Sequence, residues 1–386
     1  MVSLLSKGNK RVKIRYDAMK YECDTEHCYV HARGLMISSD FGLITMQKLS
    51  LSGCDLFDGI EMIKTTDGGK SFSDPQVCES LRREYFADGT SRSLCDATPF
   101  YHKKTDKILL TGHMAWYAES GKIIRTRQRE AFYAVYDPVI GNFQKPNTIK
   151  MPHTENNEYY SCGAGCSQIM ETAQGELLIP LSYKPKLIAA DGKACSSVVV
   201  VRCSFDGSEC KVIEMGNKLT TDIPRGLGEP SIAHYGGEYF LALRNDQTGF
   251  VSRSEDGLHF EVPRELCFDN GENLGNYNTQ QHWLTGGGKL WLVYTRRTKN
   301  NNHVFRHRAP LFIGEFDPER MCVIRSTEKI VVPERGARLG NFGCQSYSDE
   351  LGYVFAAEWM QGPNGPQGCA KYGSDNSIFI SKIYYR

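Results

Sequence analysis

The chain has 386 residues, with 46 Lys and Arg against 45 Asp and Glu, a formal net charge of +1. A nucleic-acid binder concentrates basic surface against phosphate, so this balance argues against that class of partner. With 40% hydrophobic and 24% charged residues and a mean hydropathy of -0.42, the chain can bury a sizeable core without a disordered bulk.

The 37 Gly and 20 Tyr against 15 Pro favour short strands joined by tight turns over a helical bundle. The first ten residues carry too short an apolar stretch for a signal peptide, and no run approaches the roughly 18 apolar residues of a membrane-spanning helix. The expected location is the cytoplasm, or a secreted or periplasmic one if a leader has been removed. The 14 Cys include no Cys-x-x-Cys pair, so neither a metal site nor a cofactor is expected.

In chain order, Asp55 and Asp58 precede a strand-like run over residues 60–65 and by default shape turns. The run leads into Thr65-Thr66-Asp67-Gly68-Gly69-Lys70-Ser71-Phe72, which fits Ser/Thr-x-Asp-x-Gly-x-Ser/Thr-Trp/Phe at every fixed position. In such a turn the carboxylate accepts backbone N–H bonds, Gly permits positive φ, and the aromatic ring tucks back onto the sheet. Residues 77–86 form the one stretch that reads as a helix. Strands are predicted over 107–111, 176–181, 239–243 and 289–294, each short and rich in β-branched or aromatic residues.

Degenerate copies of the aspartate turn centre on Asp137, Asp206, Asp256 and Asp317; from Asp67 onward the intervals are 70, 69, 50 and 61 residues. Regular spacing of β-rich units predicts a radial repeat, and six units of about 64 residues would each hold a four-stranded sheet. The expected fold is all-β, a single six-bladed β-propeller over residues 1–386, closed by pairing of the two chain ends.

A propeller gathers loop residues that are distant in sequence at one end of its channel. Glu229 precedes a strand, and Arg244 stands 15 residues later, a strand out and back, which returns both to one rim. Arginine is concentrated again around Arg296 and Arg297, and in Phe305-Arg306-His307-Arg308. Guanidinium groups keep their charge and match carboxylates bidentately, so their convergence suits an acidic substrate. Tyr347 is one of 20 tyrosines and by default a core or rim residue. Residues 361–368 read as a flexible loop bordering the pocket.

In this order of motifs the whole chain resembles the sialidase (neuraminidase) superfamily, and its animal cytosolic-type members in particular. Besides the aspartate turns, the resemblance rests on four segments: Asp96-Ala97-Thr98-Pro99-Phe100-Tyr101; Cys162-Gly163-Ala164-Gly165-Cys166 with the strand after Gly175; Leu292 to Thr295 followed by Arg308-Ala309-Pro310-Leu311; and Tyr347-Ser348-Asp349 ahead of residues 353–358. It implies Arg33, Arg244 and Arg308 as carboxylate-binding arginines, with Arg306 competing for the third place. It further implies Tyr347 as nucleophile, Glu229 as the base that activates it, and Asp55 as general acid/base, with Asp58 the second choice. The family's Arg-Ile-Pro motif is absent, and Arg33 stands instead in His31-Ala32-Arg33-Gly34-Leu35.

The function implied is a retaining exo-glycoside hydrolase that removes a terminal acidic sugar, sialic acid first. A tyrosine, neutral until deprotonated, avoids repulsion with the sugar carboxylate beside an oxocarbenium-like transition state. The expected partner is an acidic sugar or glycoconjugate, with no nucleic acid and no transmembrane segment. Two readings compete: a propeller lyase of uronate-containing glycans, drawing on His113, His282, His303, Tyr294 and Arg297 to abstract a proton, and a non-catalytic glycan-binding propeller.

Overall fold

A computed structural model describes residues 12–21, 23–24, 26–53, 55–189, 191 and 194–386. The apolar, β-branched runs form six antiparallel sheets of four to six strands, each built from one consecutive stretch of chain except the last. The first blade is typical: His27–Met36, Gly42–Ser50 and Phe57–Thr65 pair in sequence, and Gln76–Val77 lies outermost. These strands are buried almost end to end, because both faces of a blade pack on neighbouring blades. Between the fourth and fifth blades, for example, Phe240 and Phe316 flank the fully buried Trp283, at ring distances of 6.4 and 5.0 Å. The indole N–H of Trp283 donates to the Ser231 carbonyl at 2.9 Å.

The ring closes as expected. Lys13–Lys20 runs antiparallel to Ser377–Tyr384, Lys13 opposite Tyr384 and Lys20 opposite Ser377, and so completes the sixth sheet from the other end of the chain. The all-β, six-bladed propeller expected from the spacing is the fold observed. Among the described residues, no helix is long and apolar enough to cross a membrane.

The five aspartate turns occupy one equivalent position, the step from third to fourth strand, in blades one to five. Each carboxylate accepts two backbone N–H bonds inside its own turn: Asp67 from Lys70 and Ser71, Asp137 from Val139 and Ile140, Asp206 from Ser208 and Glu209, Asp256 from Leu258 and His259, Asp317 from Glu319 and Arg320. The sixth blade has no counterpart, because its fourth strand arrives from the N-terminal end.

The four strands predicted over 107–111, 176–181, 239–243 and 289–294 are the second strands of blades two to five. The helix expected over 77–86 is absent: that stretch holds one 3-10 turn, Glu79–Leu81, between the two-residue strands Gln76–Val77 and Glu84–Tyr85. Edge pairing overrides helical propensity there. Conversely, a short helix, Gly365–Ala370, forms where a loop was expected.

Candidate active site

Connections from second to third strand, and from each blade to the next, emerge on one face of the ring; the aspartate turns lie on the other. On the first face a cavity of about 560 Å³ opens over the channel, lined by residues of all six blades. Its floor is a buried polar network. Arg33, fully buried, donates to the carbonyls of Phe342 and Ala97 at 3.2 and 3.1 Å and to the Cys166 sulfur at 2.9 Å. Gln280 donates to His282 Nε2 at 2.9 Å, which leaves His282 Nδ1 to donate to the Ser231 hydroxyl at 2.7 Å.

Above the floor, Asp96 gathers partners from three blades. Its carboxylate accepts from the Cys166 thiol at 3.1 Å and lies 3.3 Å from His31 Nδ1 and 3.4 Å from His113 Nε2. Burial works to raise the Asp96 acid, but His31, His113 and Arg33 together hold it below the usual carboxylate range. Burial pushes His31 down to about 4 and His113 to about 3, so both imidazoles are neutral near pH 7. Asn341 donates to His31 Nε2 at 2.8 Å and turns its Nδ1 toward Asp96. The donor atoms of Cys95, Asp96 and His113 lie within 4.8 Å of one another, the one grouping among the described residues able to hold a metal. Burial, with the Asp96 charge second, raises the Cys95 thiol well above its ordinary value, which disfavours the thiolate a metal would need.

The inner strands carry these groups on strained backbone. His31, Asp96, Cys166, Glu229 and Asn278 all have φ between +43° and +57°, one in each of five blades, where the strand enters from the cavity face. Register shifts at the same places in blades one, two and four turn these side chains toward the channel mouth.

Glu229 and Arg244 meet, as the hairpin spacing predicted: Arg244 Nη1 donates to Glu229, and its Nη2 donates to Asp246 at 3.1 Å and Asn278 at 2.6 Å. Burial works against the Arg244 charge, but Glu229 and Asp246 hold it above its ordinary value. Arg308 is different. It is 4% exposed, and its hydrogen-bond partners among the described residues are neutral: the side-chain oxygen of Asn341 at 3.2 Å, and the carbonyl and amide oxygens of Asn278. Burial first, and the Arg244 charge second, push its guanidinium down to about 9. Arg306 lines the same wall with its guanidinium 5.0 Å from the Phe305 ring centre, and Arg338 stacks over Trp359 at 3.9 Å.

Five of the eight candidate residues therefore border the cavity: Glu229, Arg244, Arg308, Arg306 and Asp55, the last exposed on the rim with φ +58°. Three do not. Arg33 is buried in the floor network and does not line the cavity, with its donors taken by the protein itself. Asp58 borders a separate surface pocket with Lys48 and Tyr29, and its carbonyl binds Gln47 and Ser93. Tyr347 sits in the turn after Gly343–Ser346, with its ring 5.7 Å from Tyr353. Asn341, six positions earlier, is at the cavity, so an extended strand of about 20 Å separates Tyr347 from it. The expected convergence of Tyr347 with Arg244 and Arg308 does not occur.

The lyase set is also dispersed. His113 lines the cavity and His282 lies in the floor, but His303 binds Glu334 and stacks on Tyr372, while Tyr294 donates to Glu328 in the core. Arg297 is not among the lining residues. Of the 361–368 stretch, Gln361 approaches the site, accepting from Arg338 at 2.8 Å. Asp96, Asn278 and Asn341 were not among the expected site residues. Asp96 had a signal, as the acid opening a segment already singled out; the two asparagines had none.

No protein-family model and no curated protein matches the sequence. Among solved structures, the chain is similar to a protein of unknown function from Dyadobacter fermentans, with TM-score 0.68 and 13% identity over 97% of this chain and 99% of that one. It is also similar to Trypanosoma rangeli sialidase in complex with the inhibitor DANA, with TM-score 0.62 and 12% identity over 95% of this chain and 59% of that one. The NanB sialidase of Streptococcus pneumoniae gives TM-score 0.62 and 9% identity, over 94% and 70% of the two chains. The chain thus spans about three fifths of the length of the T. rangeli sialidase. At such identities the likeness establishes a shared sialidase-like propeller fold.

Proposed function

We propose that the chain is a glycoside hydrolase that removes a terminal acidic sugar, with sialic acid the first candidate. The observation that carries this reading is Arg308: a buried guanidinium, opening on a cavity, whose hydrogen-bond partners among the described residues are neutral oxygens. A buried cation is costly unless an anion completes it, and a sugar carboxylate has the matching bidentate shape. Arg244, anchored by Glu229 and Asp246, and Arg306 stand on the same wall to share that carboxylate.

Three carboxylates then have separate tasks. Asp55, on the exposed rim and in no ion pair among the described residues, is the proton donor to the leaving group. Glu229 is the base. Asp96, held ionised, is a fixed negative charge supporting the oxocarbenium-like transition state. Because Tyr347 is remote, water activated by Glu229 is the nucleophile this arrangement favours over a tyrosyl intermediate.

A panel of fluorogenic glycosides tests the reading. Release is expected from sialosides or uronides, is not expected from neutral glycosides, and is lost in Arg308→Ala and Glu229→Gln. Equal release from neutral glycosides would sink it. An unsaturated uronate product would instead favour the lyase, for which neutral His113 beside Asp96 is the relevant feature.

A further inference from the structure

The cavity wall on the side of blades two to four carries cations that the terminal-sugar reading leaves unused. Arg125 and Arg129 come from the connection between the second and third strands of blade two, Lys184 ends the second strand of blade three, and Arg225 precedes the inner strand of blade four. Backbone pairing brings them into one row. Arg129 bridges to Ser161, Ser161 pairs with Lys184, and Ser196 bridges to Gly226, next to Arg225.

Counting the whole wall, nine cationic side chains face four carboxylates, Asp55, Asp96, Glu229 and Asp246, on a protein whose net charge is only +1. Three of these carboxylates, Asp96, Glu229 and Asp246, come from the same side, where six of the cations, Arg125, Arg127, Arg129, Lys184, Arg225 and Arg244, outnumber them. Asp246 is shared between Arg225 and Arg244, at 3.3 and 3.1 Å, and Glu229 is paired with Arg244. Among the described residues, Arg129 Nε is buried without an acceptor, and Lys184 Nζ donates to the Asp191 carbonyl at 3.4 Å. Burial first, and then the charges of Arg225, Arg129 and Arg125, push Lys184 down to about 8 against the opposing charge of Asp191.

The geometry points to a second anion subsite, formed by Arg129, Lys184 and Arg225, that takes an acidic group on the sugar next to the terminal one. The substrate class is then an acidic oligosaccharide with anionic groups on neighbouring residues. This inference rests on the terminal-sugar reading above. The cavity volume of about 560 Å³ lies within the roughly 300–1,000 Å³ of sites that hold drug-sized ligands, so a second ring has room. The hydroxyls of Ser161, Ser182 and Ser196 lie along the same wall and supply further donors.

Calorimetric titration of the full chain tests the subsite with defined probes: the methyl glycoside of sialic acid, sialyllactose and disialic acid, and in parallel methyl galacturonide and digalacturonic acid. In the series whose mono-acid binds, the diacid is expected to bind at least about ten-fold tighter, and in the sialic series sialyllactose, whose neighbouring sugar is neutral, gains no such factor. In Arg129→Gln/Lys184→Gln, or in Lys184→Gln alone if the pair does not fold, the diacid-to-monoacid ratio falls toward one. A ratio near one in the wild type overturns the subsite and leaves the terminal-sugar reading standing. A large ratio that the variants do not reduce, or an equal gain with sialyllactose, also overturns it. Binding of no probe in either series overturns the terminal-sugar reading and the subsite with it.

Discussion

Arg308 donates from Nη1 to the side-chain oxygen of Asn341 at 3.2 Å, a neutral acceptor set against a buried cation. Such an arrangement is poor for stability and good for capturing an anion. Arg308→Met should therefore weaken binding of an acidic monosaccharide by about ten- to a hundred-fold, the worth of one charge-assisted hydrogen bond. The melting temperature should hold or rise. Retained affinity together with a lower melting temperature would show that Arg308 is structural.

The separation of Glu229 from Tyr347 makes a sharp contrast. Glu229→Gln should lower kcat by roughly two to four powers of ten, the usual contribution of a positioned acid or base. Tyr347→Phe, remote from the cavity, should leave kcat/KM within about two-fold of wild type, as surface substitutions do. Steady-state kinetics on the best fluorogenic substrate decide the matter, and a collapse of kcat in Tyr347→Phe would restore the tyrosine mechanism.

Three buried histidines should make stability depend on pH. Burial pushes His31, His113 and His282 down to about 4, 3 and 3, whereas an unfolded chain titrates near 6.5. Between those values the unfolded state binds more protons, so stability is fully present above about pH 6.5 and is lost as pH falls toward the folded values. Each histidine contributes a slope on the order of 1.4 kcal/mol per pH unit in that window. Urea unfolding at pH 7, 6, 5 and 4.5 measures it, and His113→Gln should flatten the curve; a constant stability across this range would contradict the neutral, buried assignment.

Asp67 tests the repeat. It accepts from Lys70, Ser71 and Thr65, and these bonds hold its acid below the ordinary range, the Ser71 backbone bond first. Asp67→Ala should lower the melting temperature by a few degrees and leave turnover intact, because the turn lies on the face opposite the cavity. Scanning calorimetry with a parallel activity assay reads both; lost turnover with an unchanged melting temperature would contradict this placement.

Features held by contacts near in sequence were legible before folding was considered. The carboxylates of Asp67, Asp137, Asp206, Asp256 and Asp317 bond to amides within four residues, so each turn has a local signature, and their intervals count the blades. Glu229 and Arg244 were legible for a related reason. One hairpin joins them, and Gly228 pairs directly with Arg244.

What depended on the ring closing was not legible. Asp96, His31, His113 and Cys166 meet because blades one to three converge on one axis, and no spacing along the chain encodes that meeting. Arg33 and Tyr347 show the same boundary from the other side. Whether an inner-strand residue faces the cavity, is buried in its floor or emerges at the far end depends on a few positions of register, set by bulges and by the packing of neighbouring blades. Local chemistry and spacing determined the blades and where chain segments turn. Tertiary packing alone decided which charges are left beside neutral partners around the cavity, because that depends on side chains drawn from all six blades.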